Sequence, residues 1–341
     1  MKYDALLLVS FGGPETRDDV IPFLRNVLRG KNVPEERMLE VAEHYYHFGG
    51  SSPINRQNRE LMAALTSELE RHGPRLPVYW GNRNWHPLLA DTLRQMKADG
   101  VQRALAFITS AFSSYSGCRQ YRENIAEAQT SVGKGAPQVD KLRVFYNHPG
   151  FIQAMADHVR AALLRLPAEL RDHAQLLYTA HSIPVSVAQT SNYLRQIEES
   201  CHLVSEALGR TGDRLVFQSR SGPPTQPWLE PDIIASLRAI KESNSHPAVV
   251  VAPIGFISDH MEVLYDLDTE ARAACEEMKL PMERAATAGT HPAFVSMIRE
   301  LILERMEDRP VRNALGVLGA SHDVCPVDCC PAPQRPAATR P

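Results

Sequence analysis

In the stretch "LLYTAHSIPVS", residues 176–186, an apolar segment runs into His181 and stops at Pro184. An imidazole titrates near neutral pH and binds divalent metals through its unprotonated nitrogen, so a histidine at the end of a buried segment suits proton transfer or metal ligation. A hydrogen-bonded structural histidine fits the same position, and position alone leaves the two open. A second stretch, "PIGFISDHMEVLYDLDTEARAACEEM" (253–278), carries Asp259, Glu262, Asp266 and Glu270. At about 100° per residue these four acids fall within a helical stripe about 80° wide. Like charges at these spacings cost a few tenths of a kcal/mol per pair, and only Asp259, read as a helix N-cap or first-turn residue, gains from the helix N-terminus. A solvated acidic face is one explanation. The other is a row of hard oxygen ligands that leads a divalent cation inward or protons outward.

The elements that must position these residues alternate along the chain. Short apolar runs lie at 4–11, 76–85, 103–112, 142–146, 175–182, 213–220 and 248–256, most of them β-branched or aromatic and punctuated by Gly or Pro, as buried parallel strands are. Amphipathic stretches at 54–73, 86–100 and 291–306 read as helices, the first two closing on a glycine. Strand followed by helix, repeated, predicts an α/β fold with mainly parallel sheets, in two doubly wound Rossmann-like lobes split near residue 150: 1–150, 151–310, and a Cys/Pro-rich tail 311–341 that is partly disordered. Ligands in such sheets bind beyond the carboxyl ends of the strands, and two facing lobes make a cleft. His181 stands at such an end, and the acidic helix follows another apolar strand.

Bulk properties narrow the function. The 341 residues are 23% charged with a formal net charge of −3, which leaves no basic footprint for nucleic acid. The start "MKYDALLLVSFGGPE" lacks a secretory h-region, and no apolar run is long enough to span a bilayer, so a cytoplasmic protein is expected. The six cysteines are too few and scattered for a disulfide scaffold, and three crowd into "CPVDCC".

The motifs "SFGGPE", "HFGGSSPIN", "TAHSIP", "QSRSGPPTQPWLEP" and "GFISDHMEVLYDLD", in order from residue 4 to about 306, resemble those of the ferrochelatases, enzymes that insert Fe2+ into a porphyrin. The stretches "AEHYYHFGGSSPIN", "GNRNW" and "SSYSGCRQYREN" are most similar to the actinobacterial coproporphyrin III branch. The resemblance implies a chelatase-like fold with porphyrin and ferrous iron as substrates in the cleft between the lobes. It puts the catalytic histidine and its glutamate partner, both also metal-binding, on His181 and Glu262, with Asp259, Asp266 and Glu270 as a metal or proton path. Ser52, Tyr121, Arg83 and Trp228 fall on porphyrin-contacting positions, and Phe11 stands where part of the family has a tyrosine, so it packs on the ring without ligating iron. A non-catalytic tetrapyrrole or iron binder would explain the cleft and the stripe, but not a histidine aligned with both. Without an apolar insertion to form a membrane-facing lip, coproporphyrin III is favoured over protoporphyrin IX. Many members also hold a [2Fe–2S] cluster on three C-terminal cysteines and an internal one. Cys325, Cys329 and Cys330 match the tail, but the internal position used in animal forms is Ala154, and adjacent Cys329 and Cys330 make an awkward ligand pair. Those departures weigh toward a tail without a cluster, and Cys118, Cys201 and Cys275 stay open as a fourth ligand.

Overall fold

The computed structural model describes residues 2–222 and 225–332, and within them lie two parallel four-stranded sheets. The first contains β1 (Ala5–Ser10), β2 (Val78–Asn82), β3 (Arg103–Ile108) and β4 (Gln138–Lys141), in the order β2-β1-β3-β4. The second contains β5 (Gln175–His181), β6 (Arg214–Gln218), β7 (Val249–Ala252) and β8 (Met282–Arg284), in the order β6-β5-β7-β8. Each sheet therefore places its first strand between its second and third. In this topology connections leave the first and third strands in opposite directions, which opens a crevice at their carboxyl ends. Those ends are β1/β3 in one sheet and β5/β7 in the other. Strands β1, β5 and β7 are almost wholly buried, which is why their sequences are unbroken apolar runs.

One hydrophobic cluster spans both sheets, taking in Leu8 and Phe107 from one and Tyr178 and Val250 from the other. Phe107, Phe145, Phe151 and Phe294 meet at its centre with ring centroids 5.1–6.3 Å apart. Phe294 belongs to the helix Pro292–Glu307, which follows the second sheet yet packs back against the helix Ile54–His72 of the first half. Arg299 on that helix donates to the carbonyl of Gly73 at 2.6 Å.

One expectation needs correction. The segment 142–146 is buried but is not a strand; the fourth strand is Gln138–Lys141, one step earlier. Leu142 still donates to Ala106, but the next residue, Arg143, forms a fully buried ion pair with Glu304 at 2.8 Å, and Val144 to Tyr146 join the shared core instead of the ladder. The described part of the tail, 311–332, is tied to the body. Leu315 donates to the Asn147 carbonyl, Asn147 and Tyr146 both donate to Gly319, and Asp323 pairs with Arg312 at 2.5 Å. The end of the expected disordered stretch, 333–341, lies outside the described residues.

Phe294 is fully buried at the junction of the two halves, so Phe294→Ala should cost about 3–5 kcal/mol of stability. Chemical denaturation at neutral pH, with fluorescence and far-UV dichroism as probes, measures the loss.

Candidate active site

His181 is the last residue of β5, and its ring is the first side chain of that strand to reach solvent, at 30% exposure. The strand can end there because Gly255, just after β7, lies against it. A Cβ on Gly255 would stand 2.7 Å from Ala180 Cα, so only glycine lets the β7 loop pass this close to the histidine. The Nδ1 of His181 is hydrogen bonded to the Ser182 carbonyl, which can only accept. Nδ1 therefore carries a proton, and Nε2, where the second proton is gained or lost, faces Glu262, whose Oε2 is 3.7 Å away. Tyr193 fixes the backbone here, its hydroxyl donating to the His181 carbonyl at 2.9 Å.

The segment that carries Glu262 is not a regular α-helix. His260 caps a single turn, Met261–Val263, by accepting from the Glu262 amide, and the chain continues as a π-helix over Leu264–Ala271 before returning to α geometry at Arg272–Glu277. Burial alone would lower the basicity of His181, but the Glu262 carboxylate outweighs it, with help from the Ser182 carbonyl and Asp266, and the pKa is raised. Burial would raise Glu262, but His181, His260 and Lys31 together pull it down to about 2. The two groups thus stabilise each other's charged form. Asp266 moves the other way. Burial, with the charges of Glu262 and Glu270, pushes it up to about 7, against hydrogen bonds from Ser219 and from Gln218. Ser219 has a left-handed backbone, φ 61°, a costly conformation for a non-glycine residue that turns its hydroxyl onto Asp266. Burial and Asp232 raise Glu270, which lies further out and is exposed.

Of the four acids on the expected stripe, Asp259 is drawn away. It precedes the cap instead of forming it, and its carboxylate is 3.1 Å from Arg284. Arg284 also binds Asp268 at 2.7 Å, and Gln57 reaches across to the Asp259 amide. The carboxylate is neutralised where it stands, leaving Glu262, Asp266 and Glu270 as the row.

Across the crevice, Phe11 follows β1, Arg83 follows β2 and Tyr121 follows β3. The Arg83 guanidinium lies over both rings, 4.5 Å from the Tyr121 centroid and 5.6 Å from Phe11, and Arg83 donates to Asn124 and to the Ser116 carbonyl. Ser52 is buried against Gly13, where an added Cβ would lie 2.8 Å from the serine Cβ. Trp228 forms a backbone bridge with Pro184 and covers Gly222. Sequence reasoning missed Tyr193, Ser219, His260 and Lys31. Ser219 and His260 lie inside quoted motifs and offered a signal; Lys31 and Tyr193 offered none, because only the fold brings them near Glu262 and His181.

The ferrochelatase family model matches residues 3–306. The chain belongs to the ferrochelatase family. A ferrochelatase from Rhodopirellula baltica is 59% identical over 335 residues, covering 98% of this chain and 95% of its own. A coproporphyrin III ferrochelatase from Streptomyces coelicolor is 54% identical, covering 98% and 96%. Among solved structures, Bacillus subtilis SirB with Fe3+ matches with a TM-score of 0.57 at 10% identity, covering 90% of this chain and 98% of its own, a likeness of fold alone. As a ferrochelatase the protein exchanges two pyrrole protons of a porphyrin for Fe2+. None of its helices among the described residues is long and apolar enough to cross a membrane.

A second group of polar residues gathers where the tail meets the body. The thiols of Cys118 and Cys325 interact, Cys329 and Cys330 have their sulfurs 3.6 Å apart, and His322 Nε2 is 3.9 Å from the Cys329 sulfur. Ligand atoms of His322, Cys325 and Cys329 all lie within 4.8 Å of one another. Lys141 donates to the Cys118 sulfur at 3.2 Å. Cys201 and Cys275 are buried in two other parts of the core.

The folded Asp266 keeps its proton up to about pH 7, whereas an unfolded one loses it near 3.8. The stability this protonation contributes is present below about pH 4 and declines as pH rises toward 7. Asp266→Asn should flatten that decline, so its melting temperature relative to the parent should be higher at pH 8 than at pH 5. Thermal unfolding at the two pH values is the check.

Proposed function

We propose that this ferrochelatase inserts Fe2+ into coproporphyrin III, with His181 as the acceptor of the pyrrole protons. The observation that carries the reading is His181 itself, with Nδ1 held by the Ser182 carbonyl and Nε2 facing Glu262 at 3.7 Å. A free porphyrin cannot bind iron through all four nitrogens until both pyrrole protons leave. A base whose imidazolium is stabilised by a fixed carboxylate is suited to take them. In this reading Asp266 and Glu270 hand the protons outward along the π-helix and draw the ferrous substrate inward, and Asp259 takes no part. An acid that titrates near pH 7, as Asp266 does, can hold or release a proton under working conditions. The residues 1–150 would seat the macrocycle, with Phe11 against one face and Arg83, Ser52 and Tyr121 at its edge, while 151–310 supply Trp228 together with the metal and proton groups.

Two observations support coproporphyrin III. Several relatives at 47–54% identity carry that substrate in their names. The cleft side of the first half also offers cationic groups for carboxylates, Arg83 and the nearby Lys31, whose pKa is lowered by burial and by Arg83. Assays of the purified protein with Fe2+ and each porphyrin should give the higher kcat/KM for coproporphyrin III over protoporphyrin IX; the reverse order would overturn the substrate assignment. His181→Ala should lower the rate at least a hundredfold with an unchanged dichroism spectrum.

The thiol group at the tail fits a [2Fe–2S] cluster held by Cys118, Cys325, Cys329 and Cys330. Cys118 supplies the internal thiolate that Ala154 cannot, and the left-handed backbone of Cys330, φ 51°, brings two consecutive thiols to one side. Such a cluster, when bound, supplies an electron-accepting centre and a covalent tie between tail and body. Anaerobically purified protein should carry about two iron atoms per chain with reddish-brown thiolate absorption. Cys118→Ser should lose both, whereas Cys201→Ser should keep them; a colourless parent would refute the assignment.

A further inference from the structure

The helix Gln120–Val132, together with the π-turn Tyr115–Arg119 before it, stands between the thiol group and the porphyrin side of the cleft. Cys118 lies in the turn. On one side Arg119 donates to the carbonyls of Val327 and Cys329 at 3.0 and 3.3 Å, and Arg122 donates to those of Cys325 and Pro326 at 3.2 and 3.1 Å. Facing Arg83 are the Tyr121 ring, 4.5 Å away, and Asn124, 2.8 Å away, while the turn's own Ser116 carbonyl accepts from Arg83. At about 100° per residue, Arg119 and Arg122 are about 60° apart, and so are Tyr121 and Asn124, with the two pairs on nearly opposite faces of the helix. One face grips the tail and the other presents the Arg83 platform.

We propose that the tail and its thiol group act as a clasp that positions this platform for a porphyrin carboxylate. The two arginines and Cys118 fix how the start of the helix is seated, and that seating sets where Tyr121, Asn124 and the Ser116 carbonyl hold the guanidinium. Arg119, Arg122 and Cys118 are positioning residues: they act through Arg83 and do not touch the reacting atoms. The inference rests on the reading of Arg83 and Tyr121 as porphyrin contacts, and it assigns the tail to porphyrin binding, not to proton or metal transfer.

Steady-state kinetics of full-length variants test it. Cys118→Ser and Arg122→Met should each raise the KM for coproporphyrin III about tenfold, equivalent to about 1.4 kcal/mol. The kcat and the KM for Fe2+ should stay within about twofold. Arg122→Met keeps all the thiols and so reports on the clasp if Cys118→Ser folds poorly. Arg83→Met, with the tail intact, should raise the porphyrin KM by itself, and adding Arg122→Met to it should have little further effect, because the clasp works through Arg83. Hydrogen exchange in residues 115–124 should quicken in both clasp variants. If Arg83→Met moves the porphyrin KM and the clasp variants do not, the clasp is refuted while the porphyrin contact stands. If Arg83→Met has no effect, both readings fall. A drop in kcat that matches the change in KM would also overturn the proposal, since it would make the tail part of the chemistry.

Discussion

The cluster of four phenylalanines, Phe107, Phe145, Phe151 and Phe294, is the contact on which the rest depends. A porphyrin is a rigid plate, and a cleft that acts on it from two sides must hold those sides at a fixed separation. Two lobes joined only by a linker would not do this, because interfaces of that kind permit relative motion. Here the apolar faces of both sheets drain into one core, and the last helix of the chain returns across the junction to complete it. The buried Arg143–Glu304 pair adds a second tie, and removing one partner would leave an uncompensated charge in the interior. With the core closed in this way, the carboxyl ends of β1/β3 and of β5/β7 become the two fixed edges of the crevice.

The electrostatics of the site follow from its placement at the second of those edges. Glu262, Asp266 and Glu270 are all carboxylates, yet Glu262 sits far below its usual pKa while Asp266 and Glu270 sit above theirs. Opposite charge from His181 and His260 sets the first; burial among like charges sets the others. A regular helix would rotate acids spaced by four in one sense at each step, whereas the π-helix, with its wider turn, rotates them back.

The tail shows how a peripheral segment can be tied to a central site without entering it. Its carbonyl oxygens accept from Arg119 and Arg122, its thiols meet Cys118, and Glu199 accepts from the amides of Val317 and Leu318. All these contacts are polar, and Val317 and Val327 remain almost fully exposed. The tail is held largely by hydrogen bonds to the body and by ion pairs.

Much of this was written in local sequence. Unbroken apolar runs marked β1, β5 and β7, because strands buried on both faces need no polar alternation, and His181 at the end of such a run marked the crevice. The family's motifs named Glu262 as its partner. Other features were invisible for a single reason: they depend on which distant side chains meet. The run at 142–146 has strand composition, but Arg143 finds Glu304 and the segment leaves the sheet. β8 is three residues with no apolar run, recruited by a free edge of β7. Asp259 shares the spacing of the acidic row, but Arg284, 25 positions along, neutralises it. Cys118 carries no local sign that it, and neither Cys201 nor Cys275, would meet the tail. Periodicity and composition report what a backbone segment prefers and which face it buries, and that was enough for most of the strands and helices, whereas the pairing of His181 with Glu262 came from the family's motifs. Ion pairing, the π-helical register and the gathering of thiols are set by contacts between segments far apart in the chain, and only the folded structure decides them.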